Sequence, residues 1–281
     1  MTTSLRVTTL FRRSLPGAIL LALGLARPAM AQLRPLTPID WDLFDGGRAL
    51  TVGVGMGVIG DQPASLAGTK GDLLEVGNFR LAWRSGRIGV EFGGTLYRRF
   101  HDELVLRPPA LGADPPNGGV RHDAGDILAS TVLRLTGEQR STLVALRFGT
   151  RLPTTSNEPG LDRDRTDFYA TLGGRWRLGA FALSGEGGVG ILGTRVDGLD
   201  QLDVLTYSAG VEWRVGPLVS HGIIVGQDDV HLRVVRGNED LSEVRVGIRG
   251  GDRIWFSASA VKGIADFSPG HGLLFMVGMR R

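Results

Sequence analysis

Leu50-Thr51-Val52-Gly53-Val54-Gly55-Met56-Gly57-Val58 alternates without a break. Leu50, Val52, Val54, Met56 and Val58 fall on one side, and Thr51, Gly53, Gly55 and Gly57 on the other. A period of two is the mark of a β-strand, whose successive side chains point to opposite faces. The same reading holds for eight more segments. One face carries Gly77-Phe79-Leu81-Trp83, Ile88-Val90-Phe92-Leu96, Ile127-Ala129-Thr131-Leu133-Leu135 and Thr142-Val144-Leu146-Phe148. It continues with Phe168-Ala170-Leu172-Trp176, Phe181-Leu183-Val189-Ile191, Leu205-Tyr207-Ala209-Val211-Trp213 and Val244-Val246-Ile248. Residues 218–227, 253–262 and 272–280 read as strands of poorer parity, which brings the total to twelve.

The links between these segments alternate in length. Short turns fall at 85–87, 137–140, 178–180, 215–217 and 250–252. Longer links, rich in Gly, Pro, Asp and Asn, occupy 59–72, 99–125, 153–166, 192–202, 228–242 and 263–270. An even number of strands with short turns at one end and long loops at the other predicts an all-β fold. Specifically, it predicts a 12-stranded antiparallel up-and-down transmembrane β-barrel over residues 48–281.

Charge decides which face meets lipid. On the nine strands of clear parity the apolar face holds no Asp, Glu, Lys or Arg between its ends. The opposite face holds Arg80, Arg84, Glu91, Asp126, Arg134, Arg147, Arg151, Asp167, Arg175, Arg177, Glu186, Glu212, Arg214, Glu243, Arg245 and Arg249. An Arg or Lys facing lipid at mid-bilayer costs about 2–4 kcal/mol, so hydrocarbon contact enforces such segregation. A soluble β-sandwich also alternates, but its strands run nearer five or six residues. Trp83, Trp176, Trp213 and Trp255 all stand within a few residues of the short turns, as an aromatic girdle at the headgroup level would.

The whole chain has 281 residues, no cysteine, and 32 basic against 29 acidic residues. Without cysteine there is no disulfide scaffold, iron–sulfur site or cysteine nucleophile. Arg6, Arg12 and Arg13, the apolar run from Leu15 to Ala26, and Ala29-Met30-Ala31 form a signal peptide over residues 1–31. These residues hold four of the arginines and no acid, so 28 bases then face 29 acids. That balance gives no reason to expect nucleic acid as a partner. Residues 32–47, with Pro35, Pro38, Trp41 and Phe44, are expected either as a periplasmic lead-in or folded into the mouth of the barrel. The last strand ends Leu273, Phe275, Val277, Met279, Arg280, Arg281 and lacks a terminal aromatic.

Gly125-Asp126 opens one strand, Leu152-Pro153-Thr154-Thr155-Ser156 ends the next, and Asp167 starts the return. On these residues the stretch 125–216, about a third of the chain, resembles a family of outer-membrane barrels. They are transporter-like proteins named after the meta-pathway of phenol degradation. That family tends to show Pro-Thr-Gly-Ser where Thr155 replaces the glycine here. The resemblance implies passage of hydrophobic or aromatic small molecules across the outer membrane.

The inward face of the nine clear strands carries ten arginines against six acids. The expectation is a pore lined by Arg80, Arg84, Glu91, Arg134, Arg147, Arg151, Arg175, Arg177, Glu186, Glu212, Arg214, Arg245 and Arg249. Such a lumen would favour anionic or polar solutes. The competing picture is a salt-bridged lattice that fills the interior without conducting. Expected partners are outer-membrane lipid and lipopolysaccharide, a small solute, and the barrel-assembly machinery during insertion. No cofactor is expected. Gly185-Glu186-Gly187-Gly188-Val189-Gly190 spells a dinucleotide fingerprint but lacks the following helix that motif needs. Asp162, Asp164 and Asp167, interleaved with Arg163 and Arg165, read as a solvated loop rather than a calcium site. Ser220 beside His221 points to the opposite face, and Ser268 with His271 falls in a loop, so a Ser–His hydrolase is not expected. A non-conducting structural or surface-binding barrel remains the alternative function, and a lipid hydrolase a more remote one.

Overall fold

The computed structural model describes residues 33–44, 50–109, 119–137, 141–154, 159–193, 201–231 and 239–281. The expected signal segment, residues 45–47, and Thr155 and Ser156 of the resemblance lie outside the described residues. The strands are β1 (Leu50–Ala64), β2 (Thr69–Ser85), β3 (Ile88–Val105), β4 (Val120–Asp123), β5 (Ile127–Arg134), β6 (Thr142–Leu152) and β7 (Asp167–Leu178). They continue with β8 (Phe181–Gly193), β9 (Gln201–Val215), β10 (Leu218–Asp229), β11 (Leu241–Gly251), β12 (Ile254–Gly263) and β13 (His271–Arg280). All pairings are antiparallel and join chain neighbours, except β3 with β5 and β1 with β13; the latter pair, from Thr51↔Arg280 to Gly60↔His271, closes the sheet. β4 and β5 pair along the same edge of β3, so they form one stave interrupted at residues 124–126. The result is a closed twelve-stave barrel.

Side-chain exposure follows the alternation. Val52, Val54, Met56 and Val58 are exposed, as are Phe148, Phe168, Leu172, Val189, Leu205, Val246 and Phe275. Water would not tolerate so continuous an apolar exterior on a soluble protein, whereas hydrocarbon requires it. The two strands of unclear parity are now assigned. β10 exposes Leu218 and Ile224 and buries Val225; β12 exposes Ile254 and Phe256 and turns Trp255 inward. Gly185–Gly190 lies wholly within β8.

One irregularity corrects the simple alternation. β1 pairs Gly55 with Asn78 and Met56 with Val76, leaving Gly77 as an extra residue at φ 70°. Strict parity from Trp83 back through Leu81, Phe79 and Gly77 would carry Glu75 into lipid. The bulge turns Glu75 inward, where it is 1% exposed, and turns Val76 outward. Glycine suits that position because L side chains rarely adopt a left-handed backbone.

The lumen holds the segment before β1. Leu33–Phe44 runs inside the barrel and ends in a 3-10 turn at Trp41–Phe44. Leu33 packs with Ile59, Leu73, Phe100 and Leu161 toward the long-loop end. Leu36 packs with Tyr169, Leu192, Leu202 and Val204. Ile39, Trp41, Leu43 and Phe44 pack with Ala82, Val132, Leu143 and Ala145 toward the short-turn end. A Cβ at Gly89 would stand 2.5 Å from Leu43 Cδ2, so the wall is cut back where the segment leans on it. The segment is thus neither outside the barrel nor confined to its mouth.

Candidate functional site: a luminal chamber

Leu33–Phe44 leaves part of the lumen open. A chamber of ≈ 440 Å³ remains beside it, reaching from Trp255, Arg249 and Arg280 to Asp126 and Asp162. Leu33, Arg34, Pro35, Thr37, Pro38 and Asp40 of the segment form one side. Across from them, the inward faces of β12 and β13 present Ser257, Ser259, Leu274 and Met276, a stretch without charge above Arg280.

The rest of the lining is ionic and largely self-compensated. Arg34 pairs with Glu243 at 2.9 Å and Glu75 at 3.6 Å. Arg80 lies 3.3 Å from Asp40 and 3.6 Å from Glu91. Arg98 pairs with Glu75 at 3.2 Å and also with Asp162. Arg147 pairs with Glu186 and donates from Nη1 to the Thr37 carbonyl at 2.6 Å. Arg245 meets Glu243 at 2.5 Å. Arg249 bridges Asp42 and Glu212, the latter at 3.0 Å. The segment is held by backbone donors as well: Ile39 N–H to Glu186 Oε2 and Asp40 N–H to Glu91 Oε1, both at 2.9 Å. In an interior of low dielectric, a guanidinium is tolerated when a carboxylate answers it.

Of the residues expected to line a pore, Arg80, Glu91, Arg147, Arg151, Glu212, Arg245 and Arg249 line this chamber. Glu186, Arg134 and Arg175 do not line it. Arg175 is paired with Glu212 and reaches Asp42 at 3.7 Å, and Arg134 stacks over the Phe44 ring at 5.7 Å. Arg84, Arg177 and Arg214 have inward parity at the short-turn mouth, below the chamber. Asp40 and Asp42 of the segment answer Arg80, Arg175 and Arg249, while Glu75, which the bulge turns in, answers Arg34 and Arg98.

Several functional residues escaped the sequence reading: Arg34, Asp40 and Asp42, Glu75, Arg98 and Arg280. Arg34 to Phe44 carried a usable signal, because its apolar residues and isolated charges match the composition of a wall facing another wall. Asp162, Arg163 and Asp167 do not form a solvated loop. All three are buried, with Asp162 on Arg98 and Asp167 on Arg163. The residues of the resemblance come together, since Thr154 Oγ1 donates to the Gly125 carbonyl at 2.8 Å.

The girdle needs one correction. Trp83, Trp176 and Trp213 are 48%, 49% and 50% exposed, whereas Trp255 is 6% exposed and faces the lumen. Ile254 and Phe256 take the lipid side, so the residue between them must turn in. Its indole lies against Gly53 and Gly278, where a Cβ would approach within 2.7 and 2.6 Å, and Arg280 covers its face at 5.1 Å.

The strand register also creates a Ser–His contact that chain proximity did not suggest. His221 Nε2 lies 3.0 Å from Ser259 Oγ. His221 Nδ1 is buried without a hydrogen-bond partner among the described residues. A hydrolytic dyad needs an orienting acceptor at that nitrogen, so the pair lacks the third member of a triad. The described residues contain no group of ligands suited to a metal ion.

No known protein family and no curated protein sequence matches the chain. Among solved structures, an outer-membrane channel from Pseudomonas putida F1 superposes with a TM-score of 0.58 at 13% identity. The match covers 88% of this chain and 100% of that one. The CymD monoaromatic hydrocarbon channel gives 0.43 at 10% identity, covering 85% of this chain and 90% of its own. The outer-membrane channel DcaP of Acinetobacter baumannii gives 0.41 at 10% identity, covering 83% and 96%. With its closed twelve-stave wall, lipid-facing apolar belt and occupied lumen, the chain has the fold of an outer-membrane channel barrel and resides in the cell outer membrane.

Proposed function

We propose that the protein passes small solutes passively across the outer membrane, by way of the chamber beside Leu33–Phe44. The carrying observation is the chamber itself: ≈ 440 Å³ of space with a charge-free wall on β12 and β13 facing a compensated ionic one. Most of the interior ions already satisfy one another and leave little net field for a small inorganic anion, so the reading favours molecules with a substantial apolar body. The resemblance to the meta-pathway barrels, with its hydrophobic or aromatic solutes, supports the same class. The surrounding partners in this reading are lipid and lipopolysaccharide along the belt and the assembly machinery during insertion.

Planar-bilayer recording on the refolded chain from residue 32 tests the proposal, with deletion of residues 33–44 as its second arm. The expected result is a small ohmic conductance that grows several-fold on deletion. Silence from both proteins at every voltage overturns conduction. That outcome favours the second reading, a non-conducting barrel, which draws support from the 3-10 turn packed into the short-turn mouth.

A further inference from the structure

Eight arginines line the chamber: Arg34, Arg80, Arg98, Arg147, Arg151, Arg245, Arg249 and Arg280. Seven of them have a carboxylate within ion-pair distance. Arg151 is the exception. Among the described residues its guanidinium donates no hydrogen bond and forms no ion pair, and it stands 5.8 Å from the centre of the Tyr169 ring. The register explains the vacancy. Arg151 sits opposite Asp167 on β7. That carboxylate is already taken by Arg163, by the Tyr169 hydroxyl at 3.2 Å and by the Gly193 N–H at 3.1 Å. Asp126 and Asp162 also line the chamber and attract Arg151 from a distance, yet neither comes within ion-pair reach of it.

We infer that Arg151 is the head-group site for a solute carrying a carboxylate on an apolar body. A guanidinium that faces the chamber without a direct protein partner leaves its donors to water or to a ligand that supplies the acceptor. Its planar fork matches a carboxylate in two parallel hydrogen bonds. The apolar body would lie along Leu33, Leu128, Leu274 and Met276, which share the chamber with it. The volume falls within the range of about 300–1,000 Å³ typical of small-molecule sites. This assignment rests on the solute-passage reading and narrows its substrate class.

Calorimetric titration of the refolded chain in detergent micelles tests it, using hexanoate and its neutral counterpart hexanamide as probes. Hexanoate is expected to bind about tenfold more tightly than hexanamide, the value of roughly one charged hydrogen bond. Arg151→Met removes that preference and leaves hexanamide binding unchanged; Arg151→Lys retains the preference. Equal binding of the two probes, unchanged hexanoate binding in Arg151→Met, or no hexanoate binding at millimolar concentration overturns the inference. Heat-modifiable gel migration verifies the fold of each variant, and Arg151→Gln replaces Arg151→Met if the latter does not refold. Binding with the acid preference but no solute flux in liposomes leaves this site standing and overturns passage. Flux without the preference does the reverse.

Discussion

Arg280, on the closing strand β13, places Nη2 3.0 Å from Oδ2 of Asp42 on the luminal segment. Arg249 of β11 grips the same oxygen and Arg175 of β7 approaches Oδ1 at 3.7 Å. One carboxylate on a stretch of non-strand chain therefore ties together three staves, including the one that seals the barrel.

Asp42→Asn leaves those three guanidiniums without their shared anion. Removing one partner of a buried ion pair costs about 3–5 kcal/mol. The expected outcome is a lower temperature for the heat-modifiable gel transition and a larger, noisier conductance in planar bilayers. A variant with the wild-type transition and current would show that apolar packing alone retains the segment.

Gly77 carries the bulge that keeps Glu75 out of lipid. Gly77→Ala puts a side chain in a left-handed conformation, at a cost of about 1–2 kcal/mol, and the new Cβ would stand 3.0 Å from Leu96. It should refold with reduced stability. Deleting Gly77 removes the extra residue, so Gly55–Asn78 and Met56–Val76 pair without a break and Glu75 stays inward on Arg98 and Arg34. Refolding yield, read as the heat-modifiable fraction, should stay close to that of the wild-type protein.

Trp255 and Gly53 are expected to be coupled. Gly53→Ala drives a methyl group into the indole and should destabilise the protein, whereas the same change in a Trp255→Ala background should cost little. Thermal transitions of the two single variants and the double variant measure the coupling directly. Trp255→Ala alone should also enlarge the chamber and raise conductance. Additive losses in stability would mean that the ring does not rest on the glycine.

Ser259 and His221 invite an assay for esterase activity. With His221 Nδ1 lacking an orienting acceptor, no burst with p-nitrophenyl butyrate is expected from the refolded protein. A burst abolished by Ser259→Ala would make the contact a nucleophile–base pair.

The wall was legible because lipid acts on every strand alike. Val52, Phe148 and Val246 are all greasy for the same reason, so alternation alone finds them, and Trp83, Trp176 and Trp213 follow from it. β12 resisted because Trp255 and its neighbours Ile254 and Phe256 are all apolar, which erases the contrast parity needs. The bulge at Gly77 was hidden for a different reason: its purpose shows only when Glu75 and Arg98 are seen on adjacent strands. The arginines were found, but their partners were not, since Asp40 and Asp42 belong to a segment with no period of its own. Pairing across the lumen is set by three-dimensional register. Hence the separation of Arg151 from its neighbours could not be read along the chain.

The luminal segment spans the barrel from Leu33, near the long loops, to Phe44, near the short turns where β1 begins. Such a path is hard to create after the wall has closed, because Leu33, Arg34 and Leu36 would have to be threaded from the short-turn mouth past a crowded ring of guanidiniums. The sheet must instead wrap around the segment as it curls, with the last hairpin arriving when the strap is already inside. Assembly of this protein then has a fixed chronology, in which loading precedes sealing.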